Sequence, residues 1–367
     1  MLFYIVMLVF SPYVAMIPAL YSTYLLMRKE IEFEKNYWNI TLLFLFLWAM
    51  LVAVLNKSIM SFAGAFLLLV YLSVQCFAQS YFTTREKIDE VLKYLVYLTA
   101  FCGINGIAEY FAFTAYFADE KYKVVSNFGN PNMAAGWFAS VLIIILYLKK
   151  HKSTKLEKLT YNLSALIIFI AFILTKSSGA LIAFAGGLVV YFIADNLRNK
   201  KRLIAILTAL IIGVSGAFYL DSKLEEPIIM EEINGSLVNR IDLWQTAEDM
   251  VMMKPIKGWG LLSVWEHGAT YDYGDGQGIH SHNLWLTLWV SLGLIGLVAY
   301  LIGRTYMYND ILKLIKEKEK LLALIVALNS IMLIQSIVDV PLYAPQLGIL
   351  FMGTTAVTLN LAKGKIK

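Results

Sequence analysis

Long apolar runs, repeated along nearly the whole chain, decide what this sequence can fold into. A bilayer core takes about 20 apolar residues per helix. Such stretches recur over 2–27, 37–55, 59–79, 91–118, 132–148, 160–175, 179–195, 203–220, 283–303, 321–338 and 344–362. They predict an all-α polytopic membrane protein with about eleven transmembrane helices, 1–367 forming a single integral membrane domain. Composition agrees, because 59% hydrophobic and 16% charged residues leave too little polar surface for a soluble globule, whose chains carry roughly 25% charge. The first run has no basic n-region and is too long for a signal peptide, so it reads as a span kinked at Pro12 and Pro18. Cys76 and Cys102 fall inside apolar runs and read as small buried hydrophobes rather than a disulfide or metal pair.

In such a chain the net charge of +5 reports topology rather than nucleic-acid binding. Alternate loops hold 23 of the 31 basic residues, from Arg28, Lys29 and Lys35 through the Lys149–Lys158 and Arg198–Arg202 groups to Arg304, Lys313 and the tail. The opposite side keeps eight, Lys176, Arg240, Lys254 and Lys257 among them. The positive-inside rule makes the first set cytoplasmic, with the N-terminus outside and the C-terminus inside.

Residues 221–282 then form one large extracytoplasmic loop, with eleven acidic and four basic residues. Long loops in compact proteins are functional or disordered, and Trp244, Trp259 and Leu261 argue for an ordered subdomain. Leu237, Ile241, Trp244, Ala247 and Val251 recur at helical spacing, with Ser236 as the expected cap and Pro255 and Gly258 as the stop. Arg240 lies one turn before Trp244, suited to lipid headgroups if this helix rests on the membrane surface. The glycine-rich segment 271–276 reads as turns, with a metal site formed by Asp272 and Asp275 as the less favoured alternative.

Chemistry concentrates at the end of this loop. His280 and His282 are two of only four histidines, and histidine is the side chain suited to general-base work near neutral pH. Paired interfacial histidines making ordinary hydrogen bonds are the competing reading. No HExxH or CxxC pattern supports a metal, and no GxxxxGK[ST] loop supports nucleotide binding. Asn130 and Asn132 flank Pro131 before the fifth predicted span, as a helix cap or a polar site. Lys176 sits in a very short outer turn, either as an interfacial lysine or, with Arg240, as part of a cradle for a lipid pyrophosphate.

These segments together resemble the O-antigen ligase and polymerase superfamily of bacterial envelope glycosyltransferases. The resemblance is carried by Phe128-Gly-Asn-Pro-Asn132, by Ser178-Gly-Ala180, and by Arg240-Ile-Asp-Leu-Trp244 followed by Pro255 and Gly258-Trp-Gly260. It is carried most specifically by His280-Ser-His282-Asn283, nine residues, and Gly293-Leu-Ile-Gly296. It implies a glycosyltransferase-C-like arrangement in the bacterial inner membrane, with the active site facing outward. A glycan passes there from an undecaprenyl-pyrophosphate donor to the hydroxyl of a lipid-linked or lipid A-core-type acceptor, with inversion and with no cofactor or required metal. It further implies His282 as general base and Arg240 on the donor pyrophosphate, with His280 and Asn283 supporting the site. The family often has an arginine directly before the Gly-Ala pair. Here Ser178 stands in that position, and Lys176 is the nearest cation.

Three other functions compete. A lipid-linked sugar transporter or flippase would carry ionisable residues at mid-membrane, where Glu109 is the main candidate. An intramembrane serine protease using Ser178 and His282 would want glycine where Lys176 stands. A non-catalytic scaffold of a polysaccharide-assembly complex is the third.

Overall fold

The computed structural model describes residues 1–116, 122–151, 154–197, 228–267 and 280–366, with single positions between 199 and 223. Every regular element among them is helical: α1 (Leu2–Phe10), α2 (Pro12–Met27), α3 (Tyr37–Asn56), α4 (Ile59–Tyr81), α5 (Arg85–Tyr116), α6 (Pro131–Lys150), α7 (Lys155–Leu174), α8 (Ser178–Asp195), α9 (Ile228–Met253), α10 (Ser263–His267), α11 (Leu284–Glu317), α12 (Leu322–Val338), a 3-10 turn (Pro341–Tyr343) and α13 (Pro345–Ala362). Seven of these, α3 to α8 and α11, are long and apolar enough to cross a membrane, and α12 is a shorter apolar helix. The chain is a polytopic membrane protein. The predicted span 203–220 and the turns at 271–276 lie outside the described residues.

Helix starts follow local chemistry. The Asn36 side chain accepts from Trp38 N and Asn39 N, Ser58 Oγ from Ser61 N, and Ser177 Oγ from Ala180 N. Thr154 and Glu157 form a reciprocal capping box for α7. The central helix is α6, almost wholly buried. Tyr71, Trp137 and Phe138 help fill the core around it, and the Trp137 indole donates to Thr99 Oγ1 at 2.9 Å. Cys76 and Cys102 are buried free thiols, as the sequence suggested.

Two expectations need correction. The run 2–27 is not one kinked span. Tyr4 and Ser22 bring their hydroxyls to 3.4 Å, whereas a continuous helix would hold residues 18 apart about 27 Å from each other. The chain folds back at Ser11, which caps α2 ahead of Pro12 at its first position. Arg304 is not a loop residue either. It is buried within α11, where it donates to Asn329 Oδ1 and the Tyr308 hydroxyl and lies over the Phe351 ring.

Polar contacts sort by end of the bundle. Arg85 pairs with Glu319 through two bonds of 2.7 and 2.8 Å, Lys93 with Glu157 at 2.8 Å, Lys150 with Asp195, and Lys363 and Lys365 with Glu34. Among the described residues, each lysine or arginine bridge between helices joins two segments that the charge pattern assigns to one side. The opposite end gathers residues 127–132, 176–178, 240 and 280–283.

Candidate active site

The site is built on the place where α12 stops. Pro341 follows the helix, and Asp339 adopts extended backbone, so the last carbonyls of α12 have no partners within the helix. Two side chains from elsewhere satisfy them. Arg240 Nε donates to Val338 O at 2.8 Å, and Asn283 Nδ2 donates to Ile337 O at 3.0 Å. The same Asn283 caps α11, its Oδ1 accepting from Leu286 N at 3.0 Å. One helix end thus holds Arg240 and the His280–Asn283 segment together.

Asp339 completes the cluster. It is buried, with Oδ1 3.3 Å from His282 Nδ1, 3.7 Å from His280 Nε2, and 2.8 Å from its donor Val340 N. Burial pushes its carboxyl up, but the two histidines and Val340 N–H prevail and hold it below the usual carboxylate range. The His282 backbone is left-handed, at φ 49°, a conformation uncommon outside glycine and typical of functional sites. That bend lets His282 N donate to His280 Nδ1 at 3.0 Å. Burial also depresses the Arg240 guanidinium, while Asp339 opposes the shift.

These bonds fix the tautomers. His280 accepts at Nδ1, so its single neutral-form proton is on Nε2, directed at Asp339. His282 faces the same carboxylate through Nδ1, which makes Nδ1–H the favoured tautomer and leaves Nε2 as its basic nitrogen. The nitrogens and the Asp339 oxygen lie within 4.8 Å of one another, a donor set zinc accepts in kind. However, a metal would need His280 Nε2 stripped of its proton, which the bond from His282 N opposes. The arrangement fits two imidazole N–H groups turned toward one carboxylate, at 3.3 and 3.7 Å, better than three metal ligands.

Burial pulls the His280 imidazole down to about 4, with Asp339 opposing and His282 adding. The unfolded chain then binds the extra proton first, so stability is complete above pH 6.5 and is lost as pH falls toward 4. Going from pH 7.5 to 5 should cost about 2 kcal/mol. Heat-inactivation midpoints at the two pH values should fall for wild type and fall less for His280→Asn. Equal drops would show that His280 is not the group responsible.

The other predicted residues support the site from its edges. Asn130 caps α6 by accepting from Asn132 N at 2.8 Å. Asn132 Oδ1 accepts from Ser177 Oγ at 2.8 Å, and its carbonyl accepts from Gln335 Nε2 at 2.9 Å. Those bonds lock α6, α8 and α12 together at the site end. Lys176, in left-handed backbone at φ 50°, extends over the Tyr110 ring at 5.7 Å. A Cβ on Gly179 would meet Val338 Cγ2 at 2.7 Å, so the small residue there lets α8 pack against the site-bearing end of α12. Trp244 is half-buried on α9, and its indole N–H is buried with no partner among the described residues.

The helix bearing Arg240 starts at Ile228, well before the Ser236 expected to cap it. Its buried face is Ala247, Met250 and Val251, while Ile241 is exposed. The predicted stripe is therefore rotated, because α9 packs on Trp259 and Val290. The Pro255–Gly260 segment after it splices into a break in α11. At Gly293 (φ 65°, ψ −174°) the helix ladder opens. Val290 O accepts from Trp259 N at 2.8 Å, Ser291 O from Gly260 N at 2.7 Å, and Leu292 O from the Trp48 indole at 2.7 Å. In return, Leu294 N donates to Pro255 O at 2.9 Å. Broken backbone inside a membrane protein needs such replacement partners.

With this geometry in place, comparison with known proteins is informative. Residues 163–301 match a family model described as O-antigen ligase. Over that stretch the chain is similar to the O-antigen ligase family, which supports the resemblance drawn from its motifs. The match takes in Lys176, Arg240, the histidine pair and Gly293, and it ends before Asp339. No curated protein matches the chain. That similarity, with the apolar helices, points to a glycosyltransferase-like role in a bacterial inner membrane.

Asp339 is the residue that sequence reasoning passed over. An acid in the short apolar turn Ile337-Val338-Asp339-Val340-Pro341 was the available signal, since ionisable groups beside membrane spans are expensive and usually functional. Glu109, the acid that did attract notice, is a backbone cap: its carboxylate accepts from Val125 N at 3.1 Å, Ser126 N at 2.7 Å and the Tyr122 hydroxyl. That structural role removes the main residue favouring a transporter.

Proposed function

We propose that this protein transfers an oligosaccharide from an undecaprenyl-pyrophosphate carrier to a hydroxyl acceptor, with inversion and without a metal, at the outer face of a bacterial inner membrane. The observation that carries the reading is the meeting of Arg240 and His282 on the adjacent residues Val338 and Asp339. A base and a cation so close fit a reaction that deprotonates one oxygen while charge builds on another.

In this reading His282 Nε2 takes the proton of the acceptor hydroxyl. The freed oxygen attacks the anomeric carbon from the face opposite the pyrophosphate. The carbon–oxygen bond to pyrophosphate breaks, and the pyrophosphate leaves with the bonding electrons. Arg240 neutralises the charge gathering on it, with Lys176 as a second cation. Asp339 holds His282 in the productive tautomer and stabilises the imidazolium that forms, a division of labour familiar from catalytic triads. His280 and Asn283 hold the His282 backbone, Asn130 and Asn132 fix the helix ends, and the half-exposed Trp244 ring, one turn from Arg240, flanks the incoming glycan. Residues 221–282 act as an outer subdomain over the helix ends, with the C-terminus inside; the outside N-terminus expected from a single first span is not kept, because the turn at Phe10–Ser11 lies at the site end and directs Met1 back from it. Acceptors of two kinds fit, a second lipid-linked chain or a lipid A-core-type glycan. The modest size of the outer loop favours the first, and hence a polymerase.

Purified protein given undecaprenyl-pyrophosphate oligosaccharide, EDTA and both kinds of acceptor should form a new glycosidic bond on one of them. Movement of the lipid-linked sugar across reconstituted vesicles, with no bond formed, would replace this reading with transport.

A further inference from the structure

The turn that splices into α11 also exposes apolar side chains that no helix among the described residues covers. Met252 is 78% exposed, Ile256 is 62% exposed, and Met253 lies bare between them. These residues belong to the end of α9 and the following turn, not to a spanning helix. They are fastened to the α3–α4 turn: Lys254 Nζ donates to Asn56 Oδ1 at 2.8 Å, and Asn56 Nδ2 donates to Gly258 O at 3.1 Å. Immediately beside that turn are Val54 and Ile59, the latter 86% exposed at the start of α4. In a polytopic protein such bare ends of spanning helices face lipid. The apolar surface of the turn therefore continues the lipid-facing surface of α3 and α4.

Charge adds a second, independent observation. Lys57, Lys254 and Lys257 surround this patch, and none of them pairs with a carboxylate among the described residues. The nearby carboxylate of Glu266 is engaged by Ser58 Oγ and lies 3.8 Å from His267. Lys254 rests over the Trp259 ring at 3.5 Å while donating to Asn56 in the α3–α4 turn. Burial and then Lys257 depress its pKa, so an anion placed between the two lysines would relieve their repulsion. Apolar side chains flanked by lysines are the chemistry of a membrane-surface anchor.

We propose that residues 252–257, with Lys57, form a foot that binds the headgroup and upper acyl chain of an anionic phospholipid. Met252, Met253 and Ile256 enter the acyl boundary, and the three lysines hold the phosphate. Because the same turn closes the break in α11, a bound lipid also braces the helix that begins two residues after His282. This binding is independent of the transfer reaction and is measured without it.

The test uses the full chain in detergent, with phosphatidylglycerol and phosphatidylethanolamine supplied together and retained lipids counted by native mass spectrometry. Wild type should retain phosphatidylglycerol at least about fivefold in excess. A monodisperse Lys57→Gln, Lys254→Gln, Lys257→Gln variant should lose the preference. A second variant, Met252→Ser, Met253→Ser, Ile256→Ser, keeps all three lysines and should retain less of either lipid. No preference in wild type, a preference surviving the lysine changes, or unchanged retention in the serine variant each overturns the proposal. So does full displacement of phosphatidylglycerol by millimolar glycerol phosphate, which would make this a soluble-phosphate site.

Discussion

His282→Ala should lower glycan transfer by about 10²–10⁴-fold, the contribution of one positioned general base, with little change in heat stability. The stability half of that expectation comes from the geometry. The His282 side chain contacts Asp339 from a partly exposed position, and its backbone N–H, which alanine keeps, makes the bond to His280. A companion change separates a base from a mere neighbour. Asp339→Asn retains shape but removes the charge that fixes the Nδ1–H tautomer, so the variant should lose rate by a similar order while still binding donor. Replacing the aspartate of a serine-protease triad with asparagine acts in this way. Donor affinity can be read separately, by binding a non-transferable lipid pyrophosphate. If His282→Ala transfers glycan at the wild-type rate, the base lies elsewhere. If Asp339→Asn leaves rate intact while His282→Ala does not, the carboxylate is only a helix-end feature.

How much of this was legible beforehand differed by feature. Helical spans were readable because a bilayer leaves the backbone few alternatives, and the ion pairs joining Arg85 to Glu319 and Lys93 to Glu157 respect the sidedness drawn from basic residues alone. The fold-back at Ser11 was also written in the sequence, as a serine cap directly before proline, but an unbroken apolar run invited a single span instead. Arg240, His282 and Asn283 were singled out through their pattern, yet the helix end that brings them together was not. The uniting element is the stopped end of α12, more than fifty residues beyond Asn283 and marked by a lone acid in an apolar turn. Likewise the Gly258-Trp-Gly260 and Gly293-x-x-Gly296 motifs appeared as separate signatures. Their common cause is a backbone splice between segments over thirty residues apart, which no local periodicity encodes.

That splice makes Gly293 the position where the smallest change should do the most damage to the fold. Its φ of 65° with ψ of −174° is a region only glycine occupies readily, costing other residues about 1–3 kcal/mol. A Cβ there would also stand 2.1 Å from Ile256 O and 2.4 Å from Ile256 C, backbone atoms that are themselves fixed by bonds into α11. Relief requires the Pro255–Gly260 segment to withdraw. That withdrawal would unpair Val290 O and Ser291 O, each buried polar group costing about 1–3 kcal/mol. Gly293→Ala should therefore destabilise by about 3 kcal/mol or more. In detergent the loss should appear as a heat-inactivation midpoint many degrees lower, or as no monodisperse protein. Gly364→Ala supplies the contrast, since that glycine has the same φ of 65° with nothing within 4 Å of an added Cβ. It should cost only about 1 kcal/mol, the conformational part alone. Equal stability of the two variants would mean that the turn yields freely, and that the break in α11 is not held shut by the segment lying across it.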